Sequence, residues 1–284
     1  MDQRIIDLYD EYTHAPLPRR VFMERLVVMV GTTGAAQIAL GLLESNYALA
    51  QIVPPGDLRL STSMVEIAGV KAYQAVPKGT DPQAARGAII VIHENRGLNP
   101  HLEDIARRIA LEGYLAVAVD LLTYMGGTPK DEDAARDMFT KIDPAKSVTS
   151  LAAIVTALES ANPSRKVGAV GFCWGGGMVN NLAVAAPNLD AGVAYYGVAP
   201  KAEDVPRIKA SMMLHYGGLD QRINATAPAY EEALKKAGVS YQKFVYEGAN
   251  HAFNNDTGKE RYNEAAAKLA WTRTMDFFKA KVLG

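Results

Sequence analysis

Cys173 is the residue of this chain best placed to do chemistry. It sits at the centre of Gly171-Phe172-Cys173-Trp174-Gly175, after the β-rich run at 167–171 and before Gly176-Gly177 and an apolar, helix-compatible segment. That order is the strand, tight turn and helix of a nucleophile elbow, G-x-S-x-G, with a thiol in the serine place. The glycines have a steric reason, because strand and helix approach closely only where neighbours lack a Cβ. A thiol aimed over the first turn of a helix meets unpaired N–H groups and the positive end of the helix dipole, which favour a thiolate and a developing oxyanion. Asp220, in HYGGLD, follows a strand-like run at 211–215, and His251, in YEGANHAF, follows another at 241–246. In such an arrangement His251 takes the thiol proton, Asp220 orients and stabilises the imidazolium, and the thiolate attacks an acyl carbon. Singly, a loop histidine and an aspartate in a glycine-rich turn are weak evidence. Their chain order and strand-end placement, together with the elbow, make the triad.

Glu94 ends the continuous apolar run at 88–92 and is the fourth candidate. Spacing alone leaves it open between a site carboxylate and an exposed one paired with Arg96. The loop it begins supplies one oxyanion N–H in folds with this elbow, and the residue after the nucleophile, Trp174, supplies the other. Arg96, Tyr124, Arg222, Phe253 and Asn255 are the candidates for substrate contact. His93, His101 and His215 are not grouped with acidic residues as metal ligands would be, and read as structural. Gly175-Gly176-Gly177 lacks the partners of a phosphate-binding loop, so no nucleotide site is expected.

The elements that must position these residues alternate. Apolar runs at 88–92, 115–119, 167–171, 191–196, 211–215 and 241–246 have strand length, and residues 64–76 read as a strand pair or one bent strand. Helical patterns lie between them at about 99–112, 131–140, 144–160, 225–237 and 260–280. This predicts an α/β fold, a mostly parallel sheet with helices on both faces, whose functional residues collect beyond the carboxyl ends of the strands. The 284 residues, 49% hydrophobic and 21% charged, suffice for one large domain. A net charge of −1 gives no electrostatic argument for nucleic acid or an anionic membrane, so a small molecule is the expected partner. Cys173 is the only cysteine, which excludes an internal disulfide and a Cys-rich zinc site.

Residues 1–55 differ in character from the domain expected over 56–284. Ile5, Ile6, Leu8, Tyr9 and Tyr12 give a short helical pattern ending near Pro16-Leu17-Pro18. Arg19-Arg20, an apolar run at 26–43 and Ala48-Leu49-Ala50 then supply the three parts of a twin-arginine-like export signal. Asp2, Asp7, Asp10, Glu11 and Glu24 fit that reading less well. The alternative is a helical arm that packs on the main domain or on a neighbouring subunit of a homodimer. The first reading implies an exported protein, the second a cytoplasmic one.

From about residue 60 onward the chain resembles the dienelactone hydrolase (carboxymethylenebutenolidase) family. The matching stretches are VIHENRGLNPHLEDIARRIALEGY, the strand ending in Asp120-Leu121, KVGAVGFCWGG, VAYYGV, LHYGGLD and YEGANHAF. The resemblance implies an α/β-hydrolase fold, no cofactor or metal, and a triad on Cys173, His251 and Asp220. It also gives Glu94 a part in switching the thiol to an attacking thiolate, and puts the oxyanion N–H groups on Asn95 and Trp174. Members that act on dienelactone hold its carboxylate with two arginines. Those places carry Tyr124 and Asn255 here, and neither can reproduce a bidentate Arg–carboxylate contact. Arg96 and Arg222 are near enough in sequence to substitute. The resemblance therefore implies hydrolysis of small esters or lactones with dienelactone a poor substrate; the competing reading is a non-catalytic protein of this fold that binds a ligand in the cleft. The R-R-x-F and N-Y-A-L-A stretches at 1–50 resemble one branch of the same family, which carries no substrate information.

Overall fold

The computed structural model describes residues 1–14, 17–44 and 51–284. Pro16 and the Ala48-Leu49-Ala50 site lie outside the described residues. The chain enters its sheet through an antiparallel hairpin, β1 (Leu60–Ile67) and β2 (Val70–Pro77), which resolves the strand-pair alternative for 64–76. Ala68 and Gly69 both take positive φ, 51° and 79°, as a two-residue hairpin turn requires. β2 runs antiparallel to β4 (Leu115–Val119), and every later pairing is parallel. Those pairings join β3 (Gly87–Ile92), β5 (Lys166–Phe172), β6 (Ala191–Tyr195), β7 (Ser211–Gly217) and β8 (Tyr241–Tyr246), in the sheet order β1-β2-β4-β3-β5-β6-β7-β8. Every residue of β3, β4 and β6 is buried, as their unbroken apolar sequences require of strands covered on both faces.

The helical layers follow the predicted pattern except at their ends. On one face lie α4 (Pro100–Leu111), which buries Leu102, Ile105 and Ile109, and α10 (Glu264–Phe278). On the other lie α6 (Pro144–Ala161) and α7 (Trp174–Ala185), while α5 (Glu132–Phe139) joins β4 to α6. The helix expected over 225–237 is α9 (Ala227–Ala237), and a short helix the sequence reading did not include, α8 (Gln221–Asn224), precedes it, capped by Asp220 Oδ1 on the Ile223 N–H. The last helix begins four residues later than 260, because the Asn263 side chain accepts from Ala266 N–H and caps it there.

Residues 1–44 form three helices, α1 (Gln3–His14), α2 (Arg19–Val30) and α3 (Thr33–Leu43), with a small core of their own. Tyr12 stacks on Phe22 at 4.3 Å, and Leu8, Leu26, Leu40 and Leu43 close around them. The apolar run at 26–43 is broken at Gly31, whose φ of 88° ends α2 in a left-handed cap, and α3 leaves at 110°. No single helix among the described residues is long and apolar enough to cross a membrane. The chain rejoins the main body where Asp104 of α4, fully buried, accepts from the N–H groups of Ile52 and Val53 at 3.1 and 2.8 Å.

Candidate active site

β5 delivers Cys173 into a strained turn, with φ 57° and ψ −116°, and its N–H donates to Tyr195 O at 3.1 Å. Four non-glycine residues take positive φ among the described residues; one is in the hairpin turn and the others, Cys173, Tyr196 and Ala252, are at this site. Such strain persists only where the surroundings over-determine it. The elbow glycines are the means. A Cβ on Gly171 would lie 2.1 Å from Gly175 O, and one on Gly175 would lie 2.4 Å from Ile92 O. α7 therefore starts directly against the ends of β3 and β5. Trp174 is its first residue, so its amide is one of those without an intrahelical acceptor.

The turns after β7 and β8 bring Asp220 and His251 together. His251 Nδ1 lies 2.6 Å from Asp220 Oδ2, which assigns the ring proton to Nδ1 and leaves Nε2 with its lone pair. His251 is 5% exposed, and Nε2 has no hydrogen-bond partner. The partner of Cys173 comes instead from the N-terminal arm: His14 Nε2 is 2.9 Å from Cys173 Sγ. His14 Nδ1 lies 2.8 Å from the backbone carbonyl of Asp10 and 3.1 Å from its carboxylate. Burial alone would pull the His14 imidazole down, but the Cys173 sulfur and Asp10 outweigh both burial and the nearby His251, and the net shift is upward. Asp10 is held below the usual carboxylate range: burial pushes it up, and His251, His14 and Arg222 more than offset that. The three site groups His14, Cys173 and His251 lie within 4.8 Å of one another, as do Asp10, Asp220 and His251. That spacing is within reach of a shared metal ion, which the sequence did not suggest.

Glu94 lines the same cavity but is not on the sulfur; its Oε2 accepts from Asn255 Nδ2 at 2.9 Å. The cavity, about 320 Å³, is walled by Tyr9, Thr13 and His14 of the arm on one side and by Glu94, Asn95, Arg96 and Arg261 on the other, over Cys173 and His251. Its size suits a small molecule. His93 and His215 are bonded within the core. His93 Nε2 accepts from Leu121 N–H and its ring stacks on Trp174, while His215, pushed down to about 3 by burial and by Arg273, bonds Thr274 and Tyr246.

A model of the dienelactone hydrolase family matches residues 70–282. The chain belongs to the dienelactone hydrolase family. It is 32% identical over 223 residues to a Salmonella typhimurium protein named "Putative carboxymethylenebutenolidase", covering 73% of this chain and 81% of that one. A Saccharolobus solfataricus protein of the same name is 31% identical over 249 residues, covering 75% and 94%. Among solved structures, a Klebsiella pneumoniae protein named "Putative Dienelactone Hydrolase" superposes with a TM-score of 0.68 at 29% identity, over 77% of this chain and 98% of that one. The family and the eight-stranded sheet make this an α/β-hydrolase fold, and the chain a hydrolase of the carboxylic ester and lactone class.

The remaining sequence candidates fall in three groups. Asn95 and Arg96 line the cavity, and Arg222 is drawn to Asp10 of the arm at 3.2 Å. Asn255 is committed to Glu94 and, through Oδ1, to Thr257. Tyr124 and Phe253 do not line it: the Tyr124 hydroxyl accepts from Asp143 N–H outside the cavity, and Phe253 is fully buried among Tyr195, Tyr196 and Tyr246. Sequence reasoning missed Asp10, His14 and Arg261. The only sequence signal for the first two is their i, i+4 spacing on an amphipathic helix, which says nothing about what that helix faces.

Proposed function

We propose that the protein hydrolyses small carboxylic esters or lactones through a Cys173 acyl-enzyme, with Asp220 and His251 as the oriented acid–base pair. The observation that carries this reading is the strained Cys173 at the N-terminus of α7 beside a His251 whose Nε2 is buried, bare and backed by Asp220 at 2.6 Å. A buried imidazole lone pair over a small cavity is costly to maintain unless something transient uses it. The thiolate attacks the acyl carbon, the N–H groups of Trp174 and Asn95 receive the oxyanion, and water releases the acid from the thioester. Glu94 assists: a substrate that separates it from Asn255 frees a carboxylate beside the thiol.

Substrate choice is argued from what occupies the two arginine places. A phenol and an amide are not cations, and here Tyr124 bonds Asp143 and Asn255 bonds Glu94, so dienelactone is expected to be a poor substrate. Arg96 is the candidate left in the cavity wall from the sequence. The division into an arm, 1–55, and a hydrolase domain, 56–284, belongs to the same proposal. The arm exposes Val28, Met29, Ile38 and Leu42, the face a second copy would cover in a homodimer, and a solution mass equal to one chain would remove that element.

The direct test is a panel of p-nitrophenyl esters, lactones and dienelactone with wild type and Cys173→Ala. Loss of about 10³-fold or more in kcat is expected of the variant. Unchanged turnover would move the function off the elbow, and a kcat/KM on dienelactone equal to that on simple aryl esters would sink the substrate argument.

A further inference from the structure

Helix α1 is fastened to the loops that carry the site. Gln3 Nε2 donates to Asn250 Oδ1 at 2.6 Å, Asn95 Nδ2 donates to Thr13 O at 2.8 Å, and Arg222 Nε donates to Asp10 Oδ2 at 3.2 Å. Each of these partners is within two residues of His251, Glu94 or Asp220. The arm therefore meets the site at three separate segments, the loops after β3 and β8 and the short helix α8 after β7, and these contacts fix where His14 points. His14 Nδ1 faces the carbonyl and carboxylate of Asp10 and, at 3.0 Å, Thr13 Oγ1; the Thr13 hydroxyl has the Tyr9 and Asp10 carbonyls to donate to, so all three are acceptors for Nδ1 and it carries a proton. Nε2 is then the nitrogen that shares a proton with Cys173 Sγ at 2.9 Å.

Two Asp–His pairs thus converge on one sulfur: Asp10–His14 from the arm and Asp220–His251 from the domain. We propose that His14, held by Asp10, is a catalytic residue that takes the Cys173 proton and holds the thiolate, leaving His251 to activate the water. This rests on Cys173 being the nucleophile. The Cys173 proton passes to His14 Nε2, and the sulfur forms a bond to the acyl carbon while the carbonyl π pair moves to oxygen. The oxyanion collapses, the C–O bond to the leaving group breaks, and the departing alkoxide takes the proton from His14. His251 Nε2 then removes a proton from water, hydroxide adds to the thioester, the C–S bond breaks, and the thiolate regains the proton held by His251. The sum is ester plus water to acid plus alcohol.

The ionisable groups that face His14 are Asp10 on its own helix, Cys173 at the elbow, and His251, itself backed by Asp220. Arg222 reaches it only through Asp10, and Glu94, Arg96 and Arg261 stand farther round the same cavity. Two carboxylates against one arginine in this inner group favour a protonated imidazole next to sulfur, the condition for an imidazolium–thiolate pair.

The test is the alkylation rate of Cys173 in the full chain by iodoacetamide, followed against pH for wild type, His14→Gln, Asp10→Asn and His251→Gln. It reads the thiolate directly and needs no substrate. Wild type should alkylate readily at about pH 6; His14→Gln should slow this by about tenfold or more there and by less than about twofold near pH 9, where a thiol ionises unaided. Asp10→Asn, which keeps the ring, should show the same selective loss and carries the decision if His14→Gln loses alkylation at both pH values. His251→Gln should keep most of the pH 6 alkylation while hydrolysis falls by about 10²-fold or more. The proposal is overturned if both arm variants alkylate like wild type at pH 6, or if either gains alkylation and turnover together, the mark of an arm that merely plugs the site. Alkylation that accelerates when a chelator is added would also overturn it, since a metal ion would then be holding the sulfur. Failure of the nucleophile itself is seen separately, as turnover retained in Cys173→Ala.

Discussion

Two glycines six residues apart around Cys173 should respond to the same substitution with opposite sign. In Gly171→Ala the new Cβ would stand 2.1 Å from Gly175 O and 2.3 Å from Gly175 C, both backbone atoms of the first turn of α7. Ordinary contact begins near 3.4 Å, so the turn must retreat by 3.4 − 2.1 = 1.3 Å. No side-chain rotation relieves that. Overpacking of this kind costs about 1–3 kcal/mol, and a rigid clash belongs at the upper end; for a chain of this size that lowers Tm by roughly 5 °C. The activity loss should be larger in proportion. The displaced turn carries Trp174 and adjoins Cys173, and misplacing a reacting group by about 1 Å costs on the order of 10²-fold. In Gly177→Ala the nearest atoms to the new Cβ are Val198 N and O at 3.6 Å, the residue is helical, and its φ is not positive. Alanine should be accommodated there, and its better helix propensity stabilises by up to about 1 kcal/mol. The assay is a thermal melt and kcat/KM on one p-nitrophenyl ester for both variants. A Gly171→Ala enzyme within twofold of wild type, or a Gly177→Ala enzyme as damaged as Gly171→Ala, would refute the idea that close approach of α7 to the strand sets the nucleophile.

Cys173→Ser should give a folded but much weaker hydrolase, because a hydroxyl needs stronger base assistance than a thiol; equal kcat with oxygen and sulfur would count against thiolate chemistry. Asp104→Ala removes the acceptor for Ile52 and Val53 N–H and leaves Arg107, fully buried, without that carboxylate, so a loss of about 3 kcal/mol is expected, read by thermal melt together with faster proteolysis near residue 52. His215, with its pKa pushed down to about 3, stays neutral in the fold while an unfolded chain protonates near 6.5. The unfolded state then binds more protons between those values, so stability falls as pH drops from about 6.5 toward 3, by up to about 1.4 kcal/mol per pH unit. His215→Gln should flatten that slope of Tm against pH, and an unchanged slope would assign the acid sensitivity elsewhere. His14 has the opposite sign: its raised value means docking of α1 is strongest below about pH 6.5 and weakens as pH rises through the folded value, which proteolysis of the arm should report.

The sheet was readable because its central strands are buried on both faces, and an unbroken run such as Ala88-Ile89-Ile90-Val91-Ile92 has few other structural readings. The convergence of Cys173, Asp220 and His251 was readable for a related reason: each lies just past a strand, so the fold brings them to one end of the sheet once the strands are assigned. What depended on docking was not readable. That Asn255, a candidate for substrate contact, is hydrogen-bonded to Glu94 had to be seen in the fold. The interruption of the apolar run at 26–43 by Gly31-Thr32-Thr33-Gly34 was visible in the sequence, but the left-handed cap at Gly31 and the 110° turn it makes were not.

His14 is the clearest case. It lies 159 positions before Cys173, on a helix whose periodicity announces an apolar face but not its partner. Tyr12 points into the arm's own core against Phe22 while Thr13 and His14, the next residues round the helix, line the cavity over Cys173 and His251. One short helix therefore does both things, and its packing against α2 sets the rotation that places His14 on the sulfur. That coupling sharpens the choice between export signal and arm. Removal of residues 1–50 would take away one wall of the cavity, Tyr9, Thr13 and His14, and with it the group that hydrogen-bonds Cys173. A processed and an unprocessed chain would then differ in the protonation of their nucleophile as well as in location. Mass spectrometry of the protein from its native host, paired with the alkylation profile of the same sample, ties the two questions together. An intact residue 1 with ready alkylation at about pH 6 is the outcome expected of a resident arm, and a chain cut near residue 50 that alkylates just as readily would show that the domain activates its thiol alone.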